Sequence, residues 1–133
     1  SAMWQLETLM SEGLDPSRIV ISHLDSKDNL DLDRDKRIAR PGAYVAYDSA
    51  AYDETPDPGN QRVESIKAMV DAGLQNRVII SVDAIGHALG FPQPKRTYRY
   101  LLGGFLEELR QAGIDEKTIK TFLVENPRNV LSV

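Results

Sequence analysis

The sequence predicts an α/β fold in which three parallel strands are joined by helices. An internal repeat is the first observation: residues 13–24 contain Gly-Leu, a turn and Arg-Ile-Val-Ile-Ser, and residues 73–83 contain Gly-Leu, a turn and Arg-Val-Ile-Ile-Ser. The apolar runs are short and rich in β-branched residues, which favours strands over helices. Polar side chains follow each run, as they do where the carboxyl ends of parallel strands form a site. Units of helix, glycine, buried strand and polar end, repeated along the chain, indicate right-handed crossovers and a parallel sheet.

The spacing of apolar residues and the turn residues between them predict the order of the elements. Helices are expected at residues 3–12, 30–40, 63–72, 97–111 and 115–124. Strands are expected at residues 19–21, 43–47 and 77–82, and long loops at 49–61 and 84–96. Asn126-Pro127 is expected to end the last helix, because proline lacks the N–H that the interior of a helix uses.

Length, composition and charge exclude several classes of protein. The chain has 133 residues, which is the size of a single domain, and 41% of them are hydrophobic. Its formal charge of −4 and its scattered basic residues argue against nucleic-acid binding. No apolar run approaches the roughly 20 residues that a membrane helix needs. The chain contains no cysteine, so disulfides and thiolate metal sites are excluded, and a cytoplasmic location is expected.

His23 and Asp83 are the first candidate site residues, because each follows a predicted strand. A neutral imidazole and a carboxylate on nearby parallel strands can form half of a divalent-metal site. The alternative is a hydrogen-bonded structural histidine. The repeat aligns His23 with Val82 rather than with Asp83, so alternation of side chains puts the two on one face only if the strand register differs.

Three further residues are candidates for contact with substrate or for a proton relay. Asp25 and Asp48 lie at strand ends, where a carboxylate can hold a water molecule or accept its proton. The alternative for both is capping of nearby backbone N–H groups. His87 lies in the loop after Asp83, where it could contact substrate or have no role.

Other patterns have simpler interpretations. A Ser22-His23-Asp25 triad is disfavoured because neighbouring residues of a strand point to opposite faces, and no Gly-x-Ser-x-Gly motif is present. Nucleotide-binding glycine motifs are also lacking. The acidic residues before and within the second helix are expected to complement the helix dipole and to be solvated. These acids are Asp28, Asp31, Asp33 and Asp35.

These segments resemble the phosphotriesterase-like family of the amidohydrolase superfamily, whose members are metal-dependent hydrolases built on a (β/α)₈ barrel. Residues 12–25 resemble strand six of that barrel with its metal-binding histidine. Residues 42–48, Gly-Ala-Tyr-Val-Ala-Tyr-Asp, resemble strand seven. Residues 77–83, Arg-Val-Ile-Ile-Ser-Val-Asp, resemble strand eight with its metal-ligating aspartate. The C-terminal helices are similar at residues 100–102, 105–112 and 124–131.

The resemblance implies that residues 1–133 form one partial domain, the C-terminal part of a TIM barrel, which in full takes about 250 residues. It implies two divalent metal ions, with zinc as the expected metal. His23 would bind one ion, while Asp83 would bind the other and accept the proton of the bridging hydroxide. The family's strand eight carries the same offset, which accounts for the register of His23 and Asp83.

The implied substrates are phosphotriesters, lactones or other esters, and Ser49-Ala50-Ala51 stands where relatives often carry a histidine or arginine that shapes the substrate pocket. The family's metal ligands from strands one, four and five have no counterpart here. The chain alone is therefore expected to be inactive, and its open strand edges predict self-association or pairing with the missing half of the barrel. The alternative hypothesis is a non-catalytic barrel fragment that acts as an association module.

Overall fold

A three-stranded parallel sheet forms the centre of the fold. The computed structural model describes residues 1–26, 29–50, 61–84, 90 and 98–132. The strands are β1 (Val20–Ile21), β2 (Tyr44–Tyr47) and β3 (Val78–Ile80), in the order β1-β2-β3. Both neighbouring pairs are parallel. The sheet confirms the predicted parallel strands with flanking helices.

The helices flank the sheet in the expected order. Within the described residues, three come before β3, and residues 98–132 are helical in two longer stretches, each of which contains a π-helical segment. The helices are α1 (Ala2–Ser11), α2 (Leu32–Ala39), α3 (Gln61–Asp71), α4 (Tyr98–Tyr100), α5 (Leu106–Gln111), α6 (Glu116–Lys120) and α7 (Asn126–Leu131). The π-helical segments are Leu101–Phe105, between α4 and α5, and Thr121–Glu125, between α6 and α7. No helix of the described residues is long and apolar enough to cross a membrane.

The two repeated segments adopt the same local structure. Gly13 and Gly73 follow α1 and α3 with φ of +88° and +73°, a conformation that side chains with a Cβ rarely adopt. Each glycine is followed by a single 3₁₀ turn, Pro16–Arg18 in the first segment and Gln75–Arg77 in the second. The strand begins within two residues of this turn, so the sequence repeat is a structural repeat.

The sheet is buried on both faces at its central strand β2 and partly exposed at the edge strand β1. Ile21, Val45 and Val78 lie level with one another and are buried against the helices. Val20, on the edge strand β1, is 38% exposed although it is apolar. The core also contains Phe105 and Phe122, which come from the two π-helical segments and have no exposed surface.

The expectation that Asn126-Pro127 ends the last helix is wrong. The helix continues through α7, in which Pro127 occupies one of the first two positions. Pro127 thus lies inside a continuous helical stretch, two residues after the π-helical segment, where the hydrogen bonds already depart from the regular α-helical pattern. The Asn126 side chain is buried and donates to the carbonyl oxygens of Gln75 (2.8 Å) and Val78 (2.7 Å). This residue therefore fixes the last helix to the start of β3.

Candidate functional site

Asp48, directly after β2, connects the ends of the two neighbouring strands through three different groups. Its N–H donates to Oδ1 of Asp25 at 3.1 Å, and its carbonyl oxygen accepts from the N–H of Asp83 at 2.8 Å. Its carboxylate contacts His23. The structure therefore brings together four of the five predicted site residues around the end of β2. The fifth, His87, lies outside the described residues.

The Asp48 carboxylate holds His23 at two points. Oδ1 of Asp48 lies 3.1 Å from Nδ1 of the ring, and Oδ2 accepts from the backbone N–H of His23 at 3.2 Å. The His23 side chain is 68% exposed, whereas that of Asp48 is 12% exposed. A carboxylate on one ring nitrogen is the usual partner of a metal-binding histidine, because it fixes the tautomer and the direction of the other nitrogen. The arrangement suits metal binding through Nε2.

The backbone conformation of His23 bears on whether strand register puts His23 and Asp83 on opposite faces of the sheet. Through β2, Ile21 is level with Val78, so continued alternation would put His23 and Asp83 on opposite faces. However, β1 ends at Ile21, and His23 has a φ of +58°, which is a left-handed conformation. Because alternation requires extended backbone, it does not separate His23 from Asp83.

Asp25 is fully buried and binds backbone N–H groups. Its two carboxylate oxygens accept from the N–H of Ser49 at 3.1 and 2.9 Å, in addition to the bond from Asp48. The Arg62 guanidinium lies 3.7 Å from Oδ2 of Asp25 and also donates to the Asp25 carbonyl oxygen at 2.9 Å. Burial raises the pKa of the Asp25 carboxyl, an effect that the Ser49 N–H opposes. These contacts favour the capping interpretation of Asp25, in which the carboxylate fixes the end of β2.

A second hydrogen-bond network reaches the same loop from α2. Arg34 donates to the carbonyl oxygen of Leu24 at 2.9 Å, to Oδ1 of Asn29 at 2.9 Å and to Oδ1 of Asp35 at 2.8 and 2.9 Å. The Tyr47 hydroxyl donates to the other oxygen of Asp35 at 2.9 Å. Burial raises the pKa of the Asp35 carboxyl, while the Arg34 guanidinium opposes this shift.

The expectation of solvated acids in this region is wrong for Asp35, which has no exposed surface. It holds for Asp33, which is exposed, and Asp31 caps α2 by accepting from the N–H of Arg34 at 3.0 Å. A signal for burial was present in the sequence, because Asp35 lies three and four residues before the apolar Ile38 and Ala39 and thus on the same helix face.

The donor atoms at these strand ends are of the types that divalent metals bind, but they are too few to form a complete metal site. Imidazole nitrogen and carboxylate oxygen are both common ligands of zinc and related cations. Across the described ranges, no group of three or more His, Cys, Asp or Glu side chains is placed to hold a metal ion. His23 and Asp83 therefore remain predicted ligands that need donors from elsewhere.

Comparison with known proteins matches the chain to one protein family and to relatives of that family. A family model for the phosphotriesterase family matches residues 1–131. The phosphotriesterase homology protein of Escherichia coli is 35% identical over 92% of this chain, which spans 41% of that protein. The phospho-furanose lactonase of Mycoplasmopsis synoviae is 34% identical over 93% of this chain, which spans 36% of that protein.

The structural comparison agrees with the sequence comparison. The crystal structure of the Escherichia coli protein, complexed with phosphate in its active site, matches with a TM-score of 0.74 and 33% identity, covering 94% of this chain and 42% of that one. The chain thus spans about two fifths of the length of the relatives that it matches. The three parallel strands and their helices correspond to part of a TIM barrel.

Proposed function

The chain belongs to the phosphotriesterase family, and from this premise we propose that it is the C-terminal portion of a metal-dependent hydrolase. The observation that carries the proposal is the arrangement around Asp48, which holds the ring of His23 and the backbone of Asp83 at the ends of the two strands that flank β2. In open and closed α/β sheets, the carboxyl ends of the strands are where catalytic residues gather.

Each residue at these strand ends has a proposed role. His23 binds one divalent cation through Nε2, while Asp48 keeps the ring in place through Nδ1. The Asp83 carboxylate binds a second cation and accepts the proton of the attacking water. Asp25 is too buried to contact substrate and keeps the backbone of Asp48 in position. When bound, two divalent cations, with zinc as the expected metal, lower the pKa of water and polarise the P=O or C=O group that is attacked.

The proposed substrates are small phosphotriesters, lactones or other esters. This choice is supported by the names of the relatives, which include the lactonase of Mycoplasmopsis synoviae and an aryldialkylphosphatase of Saccharolobus solfataricus that is 30% identical over 96% of this chain. His87 is retained as a proposed substrate contact on sequence grounds.

The chain is proposed to be inactive alone and to need the rest of the barrel. In the described sheet β1 and β3 each have one edge without a neighbouring strand, and such apolar edges pair with other strands. The partner is either a second copy of this chain or the segment that supplies strands one to five. We use the term completed barrel for this chain together with the segment that supplies strands one to five.

The test is hydrolysis of a lactone and of a phosphotriester by the completed barrel. Asp83→Asn is expected to lower kcat/KM about 100-fold or more, because the amide cannot accept the proton. His23→Ala is expected to lower it through loss of a ligand. Asp71→Asn, which removes an exposed acid from the end of α3, is the control and should leave activity unchanged. If His23→Ala and Asp83→Asn keep full activity, the non-catalytic association module is the better account.

A further inference from the structure

We propose that Asn29 and Arg34 are positioning residues that hold His23 in its left-handed conformation and thereby set the direction of its imidazole ring. The contacts themselves are independent of any reaction. Their consequence for metal binding rests on the proposed function, in which His23 is a ligand.

The conformation of His23 needs support from its surroundings. In the described residues, His23 has positive φ although it is not glycine. Such a conformation is disfavoured by contact of the Cβ with the following carbonyl oxygen, and it persists only where neighbouring groups fix it. It also departs from the extended backbone of β1 at the predicted ligand itself, so a return to extended backbone would change the direction of the ring.

Both peptide groups that flank the His23 Cα are hydrogen bonded. On one side, the N–H of His23 donates to the Asp48 carboxylate at 3.2 Å. On the other side, the His23 carbonyl oxygen accepts from Nδ2 of Asn29 at 3.0 Å. The next carbonyl oxygen, that of Leu24, accepts from Arg34 at 2.9 Å. The direction of each peptide plane is therefore fixed from outside the strand.

Arg34 fixes Asn29 as well as the Leu24 carbonyl. Its Nη1 group donates to Oδ1 of Asn29 at 2.9 Å, which leaves the amide nitrogen of Asn29 directed at His23. Arg34 is itself held, since its side chain is 12% exposed and its Nε and Nη2 groups donate to the buried Asp35 carboxylate. The planar guanidinium thus joins α2 to the loop with a geometry that lysine cannot reproduce.

The test uses NMR spectroscopy of the present chain without metal. A strong NOE between the HN and Hα protons of one residue reports positive φ, and the imidazole nitrogen shifts of His23 report its contact with Asp48. The chain contains two histidines, so a His87→Gln variant assigns the ring signals. The variants are Asn29→Ala and Arg34→Lys, and the control is Arg37→Lys, which changes an exposed arginine of the same helix.

Asn29→Ala and Arg34→Lys are each expected to weaken the His23 HN–Hα NOE and to shift its ring signals toward those of a free histidine, whereas Arg37→Lys leaves both unchanged. A thermal melt shows that the variants remain folded. If Arg34→Lys does not fold, Asn29→Ala decides, because Asn29 is exposed and outside the core. Unchanged His23 signals in folded Asn29→Ala overturn the proposal. A wild-type completed barrel without hydrolytic activity would overturn the proposed function alone, since the NMR result does not depend on it.

Discussion

At the scale of single residues, Asp48 shows what the sequence could and could not indicate. Its place at a strand end is read directly from the apolar run before it, and so are the places of His23 and Asp83. The contacts of its carboxylate, N–H and carbonyl oxygen could not be predicted, because they are made with residues on neighbouring strands that are distant in the sequence. The positive φ of His23 has only a weak local signal, because histidine is enriched at positive φ relative to most residues but still adopts negative φ in the great majority of cases.

Asp35 allows a test of the buried network through the pH dependence of stability. Its pKa is raised by burial above the ordinary value of 3.8. The folded state therefore binds the proton more tightly than the unfolded state, and the contribution to stability is fully present below pH 3.8 and lost as pH rises through the folded pKa. We expect the free energy of unfolding of the wild type, minus that of Asp35→Asn, to fall as pH rises over that range, as measured by urea denaturation.

Asp33→Asn is the matched control for this measurement, since it removes an acidic charge from the solvent-exposed side of the same helix. A difference between wild type and Asp35→Asn that grows as pH rises would contradict the direction of the pKa shift. It would mean that the interactions of Arg34 and Tyr47 favour the ionised Asp35 carboxylate by more than burial disfavours it.

At the scale of elements, the helix ends were predictable and the last helix was not. Gly13 and Gly73 follow helices, as the repeat predicted, and Asp115 caps α6 by accepting from the N–H of Thr118 at 2.8 Å. These signals are local, because the residue type alone sets the backbone preference. The continuation through Pro127 depends on the π-helical segment before it and on the buried Asn126 contacts with β3, neither of which is local.

The adjacent glycines 103 and 104 give a matched pair of substitutions in the first π-helical segment. A Cβ on Gly103 meets no atom within 4 Å, so Gly103→Ala is expected to raise the free energy of unfolding by about 0.5–1 kcal/mol. A Cβ on Gly104 would lie 2.7 Å from the Tyr100 ring, whose hydroxyl is held by Glu108 at 2.7 Å. Gly104→Ala is therefore expected to lower the free energy of unfolding by about 1–3 kcal/mol.

Thermal or chemical denaturation of the two variants measures this difference directly. Equal effects of the two substitutions would show that the Tyr100 ring moves aside freely despite its bond to Glu108. The comparison needs no further control, because the two positions share one helical segment and the same residue change.

At the scale of the whole molecule, three strands and their helices are a part of a barrel rather than a closed unit. The sequence predicted this from repeated strand patterns and from a resemblance that covered the chain, and the sheet and the family match confirm it. The site could be predicted only as far as the residues that this chain supplies. Its remaining donors would come from strands one to five, and their positions relative to His23 and Asp83 depend on how the barrel closes.

The metal content of the completed barrel tests the central claim most directly. Elemental analysis of the purified protein is expected to give about two divalent cations per barrel, as in other two-metal hydrolytic sites. The double variant His23→Ala, Asp83→Ala is expected to hold fewer than two, while Asp71→Ala retains the wild-type content. Two bound cations in the double variant, or in the present chain alone, would contradict the claim that this chain supplies two ligands of a metal site that it cannot complete.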